Sequence, residues 1–245
     1  MSQTAPRRRR HLLFASAFLV GAAALLTPTA AAYIRPANPK PTTIAVERLS
    51  PTVAVTDAAA VLIRRPNGMG SGFYIGNGLV VTAAHVVSGA QTVSIKTEDG
   101  RVSSARVVAI DEARDVAIMR TGRRGMLAAE VDCGAVPVGT PIVSYGNPLG
   151  LEFVAAYGKI AGAPRKVGGR LSYVTDMTTV MGQSGSAVFA NGKVIGVTSA
   201  VMTAPLQVPG REGVYVPSLV GFGYVVPSTL VCEMIAKLDA EGEVA

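Results

Sequence analysis

The chain has 245 residues, 49% of them apolar and 16% charged, with two cysteines and no tryptophan. That is enough apolar mass to bury a core, which excludes a disordered, collagen-like or cysteine-stapled chain. The net charge of +7 does not indicate a nucleic-acid binder: Arg7, Arg8, Arg9 and Arg10 form one block at the N-terminus, and the remaining 19 basic and 16 acidic side chains are scattered with no run longer than two of one sign.

Residues 1–34 read as an export segment. The arginine block precedes an uncharged stretch from Leu12 to Ile34 that is rich in Ala and Leu and ends in small residues, so the folded part is expected outside the cytoplasm. A signal peptide cleaved near Thr29 to Ala32 is the favoured form. The alternative is a retained anchor, with residues 12–34 spanning about 30 Å of bilayer as a membrane tether. Residues 35–50 form a linker stiffened by Pro36, Pro39 and Pro41, and the globular body takes residues 51–245.

The abundance of Gly, Pro, Val, Ile and Thr predicts an all-β body of short strands and turns. Apolar runs at 59–64, 71–75, 79–83, 92–97, 102–110 and 115–120 predict six strands in a first half of about 51–122. Gly76-Asn77-Gly78 and Asp99-Gly100 mark tight hairpins within it. Runs at 141–145, 152–160, 171–175, 186–190, 193–201 and 222–226 predict six more in a second half of about 132–227, with Asn191-Gly192 as another hairpin. Ser228 is expected to cap a final helix over about 228–240, packed through Leu230, Ile235 and Leu238.

The chain has two histidines, His11 and His85, and His11 lies in the leader, so imidazole chemistry in the body rests on His85. One histidine with distant cysteines lacks the spacing of a zinc site, and no phosphate-cradling glycine pattern occurs, so no metal or cofactor is expected. Gly182-Gln183-Ser184-Gly185-Ser186 places a serine in a glycine-flanked turn able to aim successive N–H groups at one point. No histidine follows Ser184, which excludes the α/β-hydrolase order. The remaining order is His85, an acid, then Ser184. Asp115, at the head of an alternating run, is the preferred orienting acid, with Asp111, Asp99 and Asp176 as competitors.

These residues resemble the trypsin-like serine peptidases, and within them the HtrA/Deg protease domain. The matching segments run collinearly: Gly70-Ser71-Gly72-Phe73; Val80-Val81-Thr82-Ala83-Ala84-His85-Val86-Val87; Asp111 with Asp115-Val116-Ala117-Ile118; Tyr145-Gly146-Asn147-Pro148-Leu149-Gly150-Leu151; Thr175-Asp176; Gly182-Gln183-Ser184-Gly185; Gly192-Lys193-Val194-Ile195-Gly196-Val197; and Gly221-Phe222-Gly223-Tyr224-Val225-Val226-Pro227-Ser228. The resemblance implies two six-stranded antiparallel barrels packed face to face with a C-terminal helix. It also implies a catalytic triad of His85, Asp115 and Ser184, an oxyanion hole from the Gly182 and Ser184 amides, and Thr178 at the base of the primary pocket. An uncharged Thr178 argues for small or apolar residues before the scissile bond in a protein or peptide substrate.

The sequence departs from the family pattern at several positions. Ser186 stands where the family keeps glycine, Met181 stands where HtrA enzymes usually carry proline, and residues 202–219 form an insertion that reads as a specificity loop or a long surface turn. No PDZ module is expected after the helix. The reading is a serine endopeptidase, with a protease-fold binding or chaperone module as the alternative if Ser186 and Met181 spoil the oxyanion turn. Cys133 and Cys232 are expected as two buried free thiols, with a disulfide as the alternative.

Overall fold

The computed structural model describes residues 59–66 and 68–241; the leader, the tether and most of the linker lie outside the described residues. Strands β1 (Ala60–Arg65), β2 (Gly68–Gly76), β3 (Leu79–Thr82), β4 (Thr92–Thr97), β5 (Val102–Asp111) and β6 (Val116–Thr121) close into one antiparallel barrel in the order β1-β2-β3-β6-β5-β4. Strands β7 (Pro141–Gly146), β8 (Val154–Val167), β9 (Arg170–Thr175), β10 (Ala187–Ala190), β11 (Lys193–Gln207) and β12 (Tyr215–Pro227) close a second barrel with the same winding. One helical turn, α1 (Ala84–Val87), follows β3, and α2 (Ser228–Ala240) ends the fold. The predicted all-β class, with two six-stranded barrels and a terminal helix, is therefore the observed one.

The hairpin signals act through backbone torsion. Asn77-Gly78 and Asn191-Gly192 both have two central residues at positive φ, the arrangement whose twist matches the flanking strands. Gly168-Gly169 makes a third turn of this kind, so β8 runs to Val167, seven residues beyond the predicted end at 160.

Period-two alternation explains how the barrels meet. On β6, Ala117 and Met119 point into the first barrel with Val61, Ile63, Val80 and Ile95, whereas Val116 and Ile118 point out into a cluster shared with Val143, Phe189, Val197 and Val226 of the second. Strands with both faces buried read as continuous apolar runs. The second barrel has its own interior of Ile142, Ile160, Tyr173, Met177, Val188 and Val225. Helix α2 adds Leu230, Val231, Met234 and Leu238 to the shared cluster.

Two expectations are corrected here. Ser228 is the first helical residue, with Pro227 at the cap position; its hydroxyl donates instead to the Asp132 carbonyl, which docks the helix to the segment leading into the second barrel. Cys133 and Cys232 are not free thiols but a disulfide, with Cα atoms 6.1 Å apart. The docked helix brings together two cysteines 99 positions apart, a proximity that no local pattern records. In the chain-entropy account, a link across so long a loop stabilises the fold by about 4 to 5 kcal/mol. Reduction, or a Cys133→Ala/Cys232→Ala double variant, should lower the denaturant midpoint accordingly, and an unchanged midpoint would show that the link contributes nothing.

Candidate active site

His85 is carried by α1, where Ala83, Ala84, Val86 and Val87 are buried and hold the turn in place while the imidazole stays about half exposed. Its backbone N–H donates to Asp115 Oδ1 at 3.0 Å, and its ring Nδ1 lies 2.9 and 3.0 Å from the two carboxylate oxygens. An ionised carboxylate only accepts hydrogen bonds, so Nδ1 carries the ring proton and Nε2 of the neutral ring keeps its lone pair.

Asp115 stands just before β6 rather than in it, at φ 61, and is 1% exposed. The positive φ turns its side chain out of the strand's alternation and under the imidazole. Burial pushes its carboxyl up, but hydrogen bonds from the His85 ring, the Ser199 hydroxyl and the His85 N–H, with attraction to the imidazole, outweigh burial and hold it below the ordinary aspartate value. Arg170, at the start of β9, places Nη1 3.8 Å from Asp115 Oδ2.

The competing acids are engaged elsewhere. Asp99 accepts from Thr97 Oγ1 and the Arg101 N–H, which lower its pKa to about 2. Asp111 caps the Arg114 N–H, and Asp176 accepts the Lys159 N–H.

Ser184 lies in the turn between β9 and β10. Its carbonyl accepts the Ser71 N–H at 2.8 Å, and the neighbouring Gly185 N–H donates to the Thr198 carbonyl at 2.7 Å. Buried Gln183 braces the same turn by accepting the Val180 N–H. A methyl group at Gly185 would lie 2.1 Å from the Ser71 carbonyl oxygen and 2.2 Å from Thr82 Oγ1, so only glycine lets the turn sit this close to the first barrel.

The Ser184 hydroxyl donates to the Ser199 carbonyl at 3.4 Å, and the Ser199 hydroxyl donates to Asp115. Ser199 thereby joins Ser184 to the His85–Asp115 pair. The hydrogen bonds of the imidazole among the described residues go to Asp115, and none joins His85 to Ser184.

Gly182 also has positive φ, 92°, and a methyl there would lie 2.4 Å from the Asn147 carbonyl oxygen. The Leu149 N–H donates to the Met181 carbonyl at 2.7 Å, so across the trans peptide the Gly182 N–H points the opposite way. Among the described residues neither the Gly182 N–H nor the Ser184 N–H has a protein acceptor.

Two residues that the sequence reading left without a role hold this region together. Ser71 donates to the Gly182 carbonyl at 2.9 Å and accepts from the N–H and Nδ2 of fully buried Asn147. Ser199 carried no signal, because a serine inside an apolar strand has no distinctive spacing.

Ser186 does not crowd the turn. Its hydroxyl is buried, 2.7 Å from Ser144 Oγ and 3.0 Å from Thr198 Oγ1. Room for its Cβ exists because Gly146 is bare: a methyl there would approach that Cβ to 2.7 Å. Met181 points outward, 75% exposed. Thr178 is also exposed, whereas Thr179 is turned inward, with the space above it provided by Gly223.

Residues 70–197 match the family model described as a trypsin-like peptidase domain. The chain belongs to this family. Among its relatives, the periplasmic pH-dependent serine endoprotease DegQ of Escherichia coli K12 is 31% identical over 186 residues, covering 72% of this chain and 38% of DegQ. The putative serine protease HhoA of Synechocystis is 35% identical over 153 residues, covering 56% of this chain and 38% of HhoA. The chain thus spans well under half the length of such relatives.

Among solved structures, the HtrA-type protease AlgW with a tripeptide superposes with a TM-score of 0.65 at 22% identity, over 76% of this chain and 62% of AlgW. An inactive form of Rv3671c from M. tuberculosis H37Rv, a serine-to-alanine variant, gives 0.60 at 25% identity over 76% of this chain and 88% of that one. Both structures share its fold.

Proposed function

We propose that this chain is a serine endopeptidase acting through His85, Asp115 and Ser184. The observation that carries the reading is the buried, acceptor-only Asp115 against Nδ1 of His85, which leaves Nε2 basic, with Ser184 linked to the pair through Ser199.

In this mechanism the Ser184 hydroxyl turns from the Ser199 carbonyl to Nε2, gives up its proton and attacks the scissile carbonyl. The Gly182 and Ser184 N–H groups, which have no acceptor among the described residues, receive the oxyanion. The imidazolium, steadied by Asp115, returns the proton to the leaving amine, and water releases the acyl-enzyme by the same route. Thr178 offers no charge to the residue before the scissile bond, so small or apolar side chains are preferred there.

An extracytoplasmic site of action goes with this reading. It is supported by the export segment, by relatives named as periplasmic and by a disulfide that persists in oxidising compartments. No helix among the described residues is long and apolar enough to cross a membrane, and the tether over residues 12–34 lies outside them.

A second reading, a binding or chaperone module on the same fold, is favoured by one observation: the Ser184 hydroxyl is bonded to Ser199 and not to His85. A fluorophosphonate probe separates the two. The peptidase labels at Ser184 and the Ser184→Ala variant does not; folded wild-type protein that stays unlabelled is the binding module.

A further inference from the structure

The insertion over residues 202–219 is a two-stranded ribbon. β11 and β12 continue past the barrel, paired from Thr203↔Leu219 to Gln207↔Tyr215, and the ribbon closes where the Val208 N–H meets the Val214 carbonyl. One edge of this ribbon is continuous with the candidate active site. β10 pairs with β11 only as far as Val197, and Ser199, whose carbonyl accepts the Ser184 hydroxyl, comes next along the strand. From there to Gln207, the side of β11 away from β12 has no partner strand among the described residues.

Two prolines reveal which backbone groups face that edge. Pro205 stands directly opposite Pro217, between the pairs Ala204↔Ser218 and Leu206↔Val216. Neither proline has an N–H, so theirs is a pair of the non-hydrogen-bonded kind, whose backbone groups point away from the partner strand. Alternation by two then turns the N–H and C=O of Thr203, and of Val201 before it, toward the same free edge. The extra residues of the irregularity between Val201 and Thr203 belong to β12, where Gly221 has φ 81, and the one extra residue that β11 carries, Ser199 between Thr198 and Ala200, comes before it, so the alternation along β11 is unbroken from Val201 to Pro205.

We propose that this edge binds the extended backbone of a polypeptide substrate out to the fifth residue before the scissile bond. An antiparallel segment that places its first residue at Ser199 brings its third to Val201 and its fifth to Thr203, where one more N–H and C=O are free. Pro205, with no N–H to offer, ends the docking edge. The inference rests on the peptidase reading, because a bond held at Ser184 sets the register.

The experiment is a series of fluorogenic peptides with three to seven residues before the cleaved bond, identical in the three nearest it. kcat/KM is expected to rise roughly tenfold when the fifth residue is added and to level off beyond it. N-methylation of the backbone nitrogen of that fifth residue should remove the gain, and in Thr203→Pro the ratio between five- and three-residue peptides should fall to near one. A flat series in protein whose Ser184 takes the fluorophosphonate overturns the docking edge and leaves the peptidase reading standing; unlabelled protein overturns both. A gain that survives both N-methylation and Thr203→Pro also overturns the docking edge. So does a gain that disappears as protein concentration rises, since a second copy of the chain is then the occupant.

Discussion

Replacing His85 by alanine is expected to lower kcat/KM by on the order of 10⁴ to 10⁶ with little change in the thermal midpoint. The two effects separate because the imidazole is about half exposed, while the turn that carries it is held by Ala83, Ala84, Val86 and Val87. Removing the ring takes away the only imidazole in the described body and leaves the packing beneath it in place. Steady-state kinetics with a melt on the same preparation checks both halves, and a loss below tenfold would take His85 out of the mechanism.

Asp115→Asn is expected to cost about 10⁴ in kcat and, unlike the first substitution, some stability as well. The native carboxylate accepts from the His85 ring, the His85 N–H and the Ser199 hydroxyl. An amide keeps only one acceptor oxygen and sets an NH₂ among those donors. If that NH₂ faces Nδ1, the ring proton moves to Nε2, the position from which the base must act.

The pH dependence follows from the same contacts. Because the Asp115 pKa is lowered on folding, its contribution to stability is complete above the unfolded-state value and is lost as pH falls through the lower folded-state value. Asp115 therefore remains a carboxylate at any pH above its ordinary value. The acid limb of kcat/KM should then fit one proton, with the fold intact by circular dichroism across it. A two-proton limb, or one that coincides with unfolding, contradicts this assignment.

Much of the fold was legible because it is written in local chemistry. Asn77-Gly78 and Asn191-Gly192 adopt the torsions their side chains permit, and the apolar run at Val116 to Met119 alternates between two cores. The turn at Ser184 was legible for the same reason: glycines at 182 and 185 stand where a methyl would strike the Asn147 and Ser71 carbonyls. The 202–219 insertion was not, since Pro205, Pro209, Pro217 and its glycines signal turns, and Pro205 and Pro217 sit on strands because both outer edges of the ribbon have no partner strand among the described residues.

The amino-acid order by itself determined the strands, the tight turns and the short set of side chains from which the site is drawn, because torsional preference and alternation act over a few residues. Only the tertiary structure decided that Asp115 and not Asp111 lies under the imidazole, that Ser199 joins it to Ser184, that Gly146 makes room for Ser186, and that Cys133 meets Cys232. Each of these pairs elements far apart along the chain, and their approach is set by how two closed sheets and a helix bury a common apolar face, a collective outcome that no short window of sequence contains.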